Sequence, residues 1–430
     1  MYREKINELI KWKNSSIRKP LVLRGARQVG KTWLLQEFGR TAYDQSVYIN
    51  FEDTPALQTI FTTDFNIERI LTVLQIHSHL AITPENTLIV FDEIQSAERG
   101  ITSLKYFCEN APQYHVIAAG SLLGMNLHNN VSFPVGKVDF MDLRPLSFSE
   151  FLMALNENEL AKVLEAKSWD VISIFDEKLK EYLRYFFYVG GMPEVVSVFS
   201  QTRDWQTVRH IQNRILHSYE GDFSKHAPHE MVPRIRMVWQ SIPAQLAKEN
   251  KKFIYGVLKE GARAKDFELA IQWLVDSGLL LKSFRISKPH LPLSVYQDFS
   301  AFKLFLHDIG LLGAMAGVNV KTIIEGDAIF TEFKGALTEQ YVIQQLRLND
   351  NRYISYWTNE RNTAEVDFVV QTESEVIPVE VKAGENLKAK SFKLFCEKYQ
   401  PRKAIRTSLS EYHEESWMTN VPLYGIGEKL

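Results

Sequence analysis

Short apolar runs, separated by stretches of helical spacing, dominate the first third of the chain. Leu21-Val-Leu23, Gln45–Phe51, Leu88–Phe91, His115–Ala119 and Lys137–Leu143 read as strands. The unbroken run at 88–91 suits a parallel strand buried on both faces. Ile70, Leu71 and Leu74 recur at helical spacing within 67–79. A helix is expected near 103–110, and an amphipathic one at the amino end is stopped by Pro20. Strands alternating with helices predict right-handed crossovers and a mostly parallel sheet.

From Ser147 the pattern changes. Ser147 with Glu150 matches the S-x-x-E capping box, and helical segments follow to about residue 225, broken at Gly190-Gly-Met-Pro193. A small helical lid over the sheet fits this run. Residues 235–248, 253–258 and 263–277 then read as helices, followed by strands at 278–284 and 301–306. Helix, helix, helix, hairpin is the order of a winged helix. Its third helix opens with Arg263 and Lys265 but continues Asp266-Phe-Glu268, whose carboxylates repel phosphate. Packing or protein contact is therefore favoured over DNA contact for this module.

The junction between the first strand and the helix after it carries the clearest chemistry. Gly25-Ala26-Arg27-Gln28-Val29-Gly30-Lys31-Thr32 is G-x-x-x-x-G-K-[ST], set between a strand and a helical stretch that continues at Trp33. Glycines let successive N–H groups turn inward around phosphates, and the helix start adds its dipole. Residues 25–33 are thus the candidate ATP site. Lys31 would reach the β- and γ-phosphates, and the Thr32 hydroxyl would ligate Mg²⁺. Asp92 and Glu93 end an apolar strand at the carboxyl edge of the sheet, where open α/β sheets place ligands. Asp92 would hold the Mg²⁺ shell, directly or through water, and Glu93 could polarise the attacking water. Ser121, after the next strand, could read the γ-phosphate or cap a turn.

A second acidic pattern lies in the last hundred residues. Glu339 sits on a helical stretch, 335–348, with Ile343 and Leu346 at i+4 and i+7. That spacing turns a carboxylate toward an apolar face, which is costly without a partner. A strand carrying Asp367 follows, then one carrying Glu380 and Lys382 on one face, then a helix over 388–399. Helix glutamate, strand aspartate and E-x-K follow the order of a PD-(D/E)xK nuclease core. Asp367 and Glu380 would bind a second Mg²⁺ or Mn²⁺, and Lys382 would orient water against a phosphodiester. The competing reading is a structural ion-pair cluster, or a fold kept as a binding scaffold.

Composition narrows the partners. The 430 residues suffice for roughly two to three domains. A formal charge of −2 supplies no global basic field, so any contact with DNA or RNA must come from a local patch. Cys108 and Cys396 are too few for a disulfide framework or a cysteine-rich metal site. No apolar run approaches the length of a membrane span, and the charged amino end does not resemble a signal peptide. A cytoplasmic protein is the expectation.

Taken together, these segments resemble a known family. G-A-R-Q-V-G-K-T, L-I-V-F-D-E-I-Q, A-G-S-L-L-G, P-L-S-F-S-E-F and the Gly190–Pro193 break look like the prokaryotic AAA-type ATPases. In that family the ATPase domain is joined to a carboxy-terminal domain of unknown function 4143. Segments of its tail are found here at 335–339, 365–368 and 378–382. The resemblance implies an α/β fold: a P-loop NTPase parallel sheet (1–145), a helical lid (146–233), a winged helix (234–310) and a restriction-endonuclease-like α/β end (311–430). It implies no substrate beyond ATP and ADP. Relatives commonly carry arginine where this chain has Lys137, a poorer finger toward a second copy; Arg144 is a possible substitute.

Overall fold

The computed structural model describes residues 1–120, 134–248, 251–324, 331–361, 363–384 and 390–427. It divides into two compact units, residues 2–144 with 276–278, and 145–275 with 279–430.

The first unit runs α1 (Lys5–Lys13), β1 (Leu21–Arg24), α2 (Lys31–Ala42), β2 (Gln45–Asn50), α3 (Ile67–Ser78), β3 (Thr87–Asp92), α4 (Gly100–Asn110), β4 (His115–Ala119) and β5 (Asp139–Asp142). The five strands form one sheet in the order β2-β3-β4-β1-β5. Every pairing is parallel, as the strand–helix alternation predicts. β3 and β4 are buried along their whole length, which is why both read as unbroken apolar runs. Phe51, Phe61, Phe91 and Phe107 pack edge-on or tilted beside β3. They fix the strand whose end bears the acid pair. Because β4 lies between β1 and β3, its end falls between the glycine loop and that pair. Gly120 is there and buried; Ser121 lies outside the described residues.

The second unit opens with helices α5 (Phe148–Ala154), α6 (Asn158–Ala166), α7 (Trp169–Ile174), α8 (Asp176–Val189), α9 (Pro193–Thr202), α10 (Trp205–His226), α11 (Val232–Leu246) and α12 (Ala264–Asp276). The capping box at α5 forms as expected: Ser147 Oγ accepts from Glu150 N at 2.9 Å and Glu150 Oε2 from Ser147 N at 3.0 Å. After α12 come β6 (Leu280–Ile286), β7 (Gln297–Leu306), α13 (Ile309–Met315), α14 (Val320–Ile324) and α15 (Thr331–Leu346). The chain ends with β8 (Tyr353–Thr358), β9 (Glu365–Gln371), β10 (Val376–Val381), α16 (Lys390–Tyr399), β11 (Ile405–Ser408), β12 (His413–Glu414) and β13 (Thr419–Pro422).

Two differences from the sequence expectation stand out here. The helix expected over 253–258 is only a 3-10 turn, Tyr255–Val257. The hairpin β6–β7 is not a free wing but one end of an eight-stranded mixed sheet, ordered β12-β13-β11-β10-β9-β8-β6-β7. β6 pairs parallel with β8, so the sheet runs across residue 310. Buried glutamines knit α15 to this framework. Gln340 Oε1 accepts from Leu306 N at 2.9 Å, and Gln344 Oε1 accepts from Ile309 N at 2.9 Å.

The Gly-Gly break after α8 has a steric cause. Gly190 has φ +74°, and a Cβ there would lie 2.3 Å from Asp308 Oδ1. Asp308, fully buried, accepts from Gly191 N at 2.6 Å and caps α13 by accepting from Leu311 N at 3.0 Å. Only glycine admits that carboxylate so close to the backbone.

Candidate functional site

β1 ends in Gly25, whose φ is +150° and whose added Cβ would meet the Leu143 carbonyl at 2.3 Å. Gln28 and Gly30 follow with φ of 65° and 92°, and Gly30 caps α2 in the left-handed region. These positive φ values curl the loop so that its N–H groups converge, the concavity that anions use. Ala26 and Val29 are buried, and Arg3 Nη1 donates to Val29 O at 2.9 Å. The loop is therefore braced from below before any ligand arrives. Trp33 lies one residue into the helix beyond Thr32, partly exposed.

Lys31 turns its Nζ back to the carbonyls of Gly25 (2.8 Å) and Ala26 (2.9 Å). Burial pulls its pKa down to about 8, against the opposing pull of Glu93 and Asp92. A desolvated ammonium held only by neutral carbonyls would gain from a phosphate. Asp92 closes the other side. Its Oδ2 accepts from Thr32 Oγ1 at 2.8 Å and from Tyr48 OH at 2.5 Å, and its Oδ1 from Glu93 N at 3.0 Å. Thr32 and Asp92 thus present oxygen donors side by side, the hard ligand set that suits Mg²⁺. Tyr48 was not among the sequence candidates. It reaches Asp92 because β2 and β3 are paired in register, Tyr48 opposite Val90 and Asn50 opposite Asp92.

Glu93 adopts φ 48°, ψ 45°, a conformation that costs energy for a non-glycine residue and recurs at functional sites. Burial raises its carboxyl pKa, while a hydrogen bond from Gln95 Nε2 works against that rise. Lys137 pairs with Glu109 at 2.9 Å, and Arg144 approaches Asp142 at 3.7 Å.

In the second unit the sheet does gather Glu339, Asp367, Glu380 and Lys382, but with company. Two further lysines, Lys251 and Lys303, enter the cluster. Lys251 hydrogen-bonds Glu339, and Lys303 hydrogen-bonds Glu365 and lies 3.6 Å from Glu339 Oε2. Asp367 Oδ2 accepts from Val381 N at 2.8 Å, and Lys382 Nζ donates to Glu380 Oε1 at 2.7 Å. Burial and the neighbouring Glu339 and Glu380 push the Asp367 pKa well above the ordinary value. For Glu339, burial is outweighed by Lys251 and Lys303, and the pKa ends below it. Neither lysine was a candidate, since no local motif marks them. Among the described residues, no three His, Cys, Asp or Glu side chains are placed to hold a metal ion.

Residues 17–152 match the AAA domain, 180–322 a domain of unknown function (DUF8612) and 334–424 a domain of unknown function (DUF4143). No curated protein is detectably similar in sequence. Among solved structures, the Walker-type ATPase PABY2304 of Pyrococcus abyssi is 12% identical. That match covers 73% of this chain and 95% of the other, with a TM-score of 0.46. The Aeropyrum pernix ORC1 protein in complex with DNA is 12% identical over 74% and 93% of the two chains, at 0.28. Drosophila ORC bound to DNA is 11% identical over 73% and 85%, at 0.27.

Proposed function

We propose that this chain, in which residues 17–152 match the AAA domain and 334–424 the DUF4143 domain, is a Mg²⁺-dependent ATP switch of the AAA type. One observation carries the reading: Lys31, Thr32 and Asp92 stand at one loop, with the Thr32 hydroxyl 2.8 Å from the Asp92 carboxylate. Lys31 would leave its loop carbonyls for the β- and γ-phosphates and neutralise the charge that develops in transfer. Thr32 and Asp92 would hold Mg²⁺, which would supply charge neutralisation at the phosphates. Glu93, its pKa raised by burial, would take the proton from the water that attacks the γ-phosphorus. The products are ADP and inorganic phosphate. Lys31→Ala should abolish nucleotide binding; unchanged ATP affinity by calorimetry would refute the assignment of the loop.

The finer part of the proposal couples this cycle to the nuclease-like end, as a module that contacts DNA or RNA. Its support is the order of Glu339, Asp367, Glu380 and Lys382 on one helix and two paired strands. The alternative, a scaffold whose end binds a protein, gains from Lys251 and Lys303 standing inside the acid cluster. Binding to a labelled duplex and a labelled single strand across a salt series separates the two readings. A phosphate-contacting surface loses affinity steeply with salt, and a protein-binding one shows no affinity at any salt. A finger acting on a second copy would come from Arg144, whose planar fork suits phosphate better than Lys137. Sedimentation with and without ATP tests whether copies associate.

A further inference from the structure

The carboxylates expected to hold a divalent ion in the second unit are already matched by cations of the chain itself. Lys303, on β7, has 1% of its side chain exposed and sits between Glu339 and Glu365, with its ammonium 4.8 Å from the Tyr356 ring. Burial alone would pull its pKa down. Glu339, Glu365 and Asp367 outweigh that, so it stays charged across the physiological range. Lys251 covers the other oxygen of Glu339, and Lys382 covers Glu380. Asp367 Oδ2 accepts from Val381 N, and the four carboxylates of Glu339, Glu365, Asp367 and Glu380 stand against three ammonium groups. A divalent ion entering this cluster would find most of its charge already neutralised and a buried ammonium in its way. The donor set does not fit the metal that the nuclease-like order implies.

We infer that Lys303 and Lys251 take the place of the divalent cation, so that the acid cluster of the C-terminal sheet is closed to metal and does not cut phosphodiesters. Two carboxylate oxygens of the cluster, Glu339 Oε2 and Glu380 Oε2, are buried without a hydrogen-bond partner, and Lys303 lies 3.6 Å from the first. Glu380 Oε2 marks where a cation would gain a ligand if the lysines were withdrawn. The cluster keeps the acidic residues of such a core but ties them into an ion-pair network.

Mn²⁺ binding to the full chain without nucleotide, followed by electron paramagnetic resonance of the free ion, tests this directly. The wild-type isotherm should superimpose on that of Glu380→Gln, since neither holds Mn²⁺ at the cluster. The Lys251→Met/Lys303→Met double variant should gain a site, at least about tenfold tighter than anything at this cluster in wild type. Adding Glu380→Gln should remove that site again, and Mn²⁺ should raise the melting temperature of the double variant only. Terbium in the new site should be sensitised by Tyr356. A wild-type site that disappears in Glu380→Gln would overturn the inference, as would a folded double variant that gains none. If Lys303→Met fails to fold, the wild-type against Glu380→Gln comparison and the milder Lys251→Met still decide.

Discussion

The glycine loop and the acid cluster of the C-terminal sheet both combine lysine with carboxylates, and they use them in opposite ways. At the glycine loop the charges are kept apart. Lys31 binds only neutral carbonyls, while Asp92 is held by two hydroxyls and an amide. In the C-terminal sheet the charges meet directly, lysine on glutamate. The electrostatics follow the geometry: burial drives the Lys31 pKa down to about 8, whereas the carboxylates hold Lys303 above the ordinary lysine value. An ammonium that burial has left unmatched is ready for an anion; one already matched is not. Motif spacing alone makes the two sites look equally chemical, and the partners of the lysines separate them.

The largest contrast should come from removing one charge at each place. Glu93→Gln should slow ATP turnover by about 10²–10⁴-fold while leaving the fold intact, because the change deletes a half-buried carboxylate proton acceptor and keeps its shape. Steady-state turnover alongside a thermal melt checks both halves; normal turnover removes Glu93 from the mechanism. Lys303→Met should do the reverse. It leaves Glu365 without its lysine and Glu339 with Lys251 alone, at a cost of about 3–5 kcal/mol in stability, with ATP turnover of the remaining folded protein unchanged. Denaturant unfolding reads that loss. A melt indistinguishable from wild type would mean that the cluster is not held by its lysines.

What could be read from the sequence divides along the same line. The glycine loop is eight contiguous residues, and Asp92 and Glu93 adjoin at the end of one apolar strand, so local pattern located them. Glu339 was legible too, because i+4 and i+7 spacing put it on the buried face of α15. Its lysines were not. Lys251 lies 88 residues from Glu339, and Lys303 lies 62 from Glu365; only the tertiary fold brings them together. Tyr48 escaped for the same reason, needing the register of β2 against β3. The strands β11 to β13 are short, and β8, Tyr-Ile-Ser-Tyr-Trp-Thr, is buried along most of its length despite four hydroxyl-bearing residues. The winged-helix expectation lost its free wing to pairing that no local period encodes, β6 with β8.

Asp308, another buried carboxylate, sharpens the comparison, because its partners among the described residues are amides and not cations. Backbone amides and Gln344 hold it, and burial raises its pKa from 3.8 to about 6. A carboxyl whose folded pKa is raised favours the protonated form. Its contribution to stability is therefore greatest below pH 4, is lost as pH climbs from about 4 to 6, and is constant above. The full swing is on the order of 3 kcal/mol. Asp308→Asn keeps the shape and removes the titration. The difference between wild-type and variant unfolding free energies should change across pH 4–6 and level off above; a flat difference would mean that the amides hold the ionised form at no cost.

The smallest effect belongs to Lys31, and it tests the unmatched ammonium itself. Its folded pKa lies near 8, below the 10.5 of an exposed lysine. In the free protein the charged form is penalised below pH 8, and the penalty is relieved as pH rises through 8. Nucleotide phosphates restore the charge, so binding above pH 8 must take up a proton. ATP affinity should then be insensitive to this group below pH 8 and weaken by up to about tenfold per pH unit above it, with proton uptake measurable by calorimetry in buffers of different ionisation enthalpy. Lys31→Arg should bind without that uptake, because guanidinium stays charged throughout. Were wild-type affinity flat to pH 9.5, the ammonium would already be matched in the free protein, and the contrast with Lys303 would lose its basis.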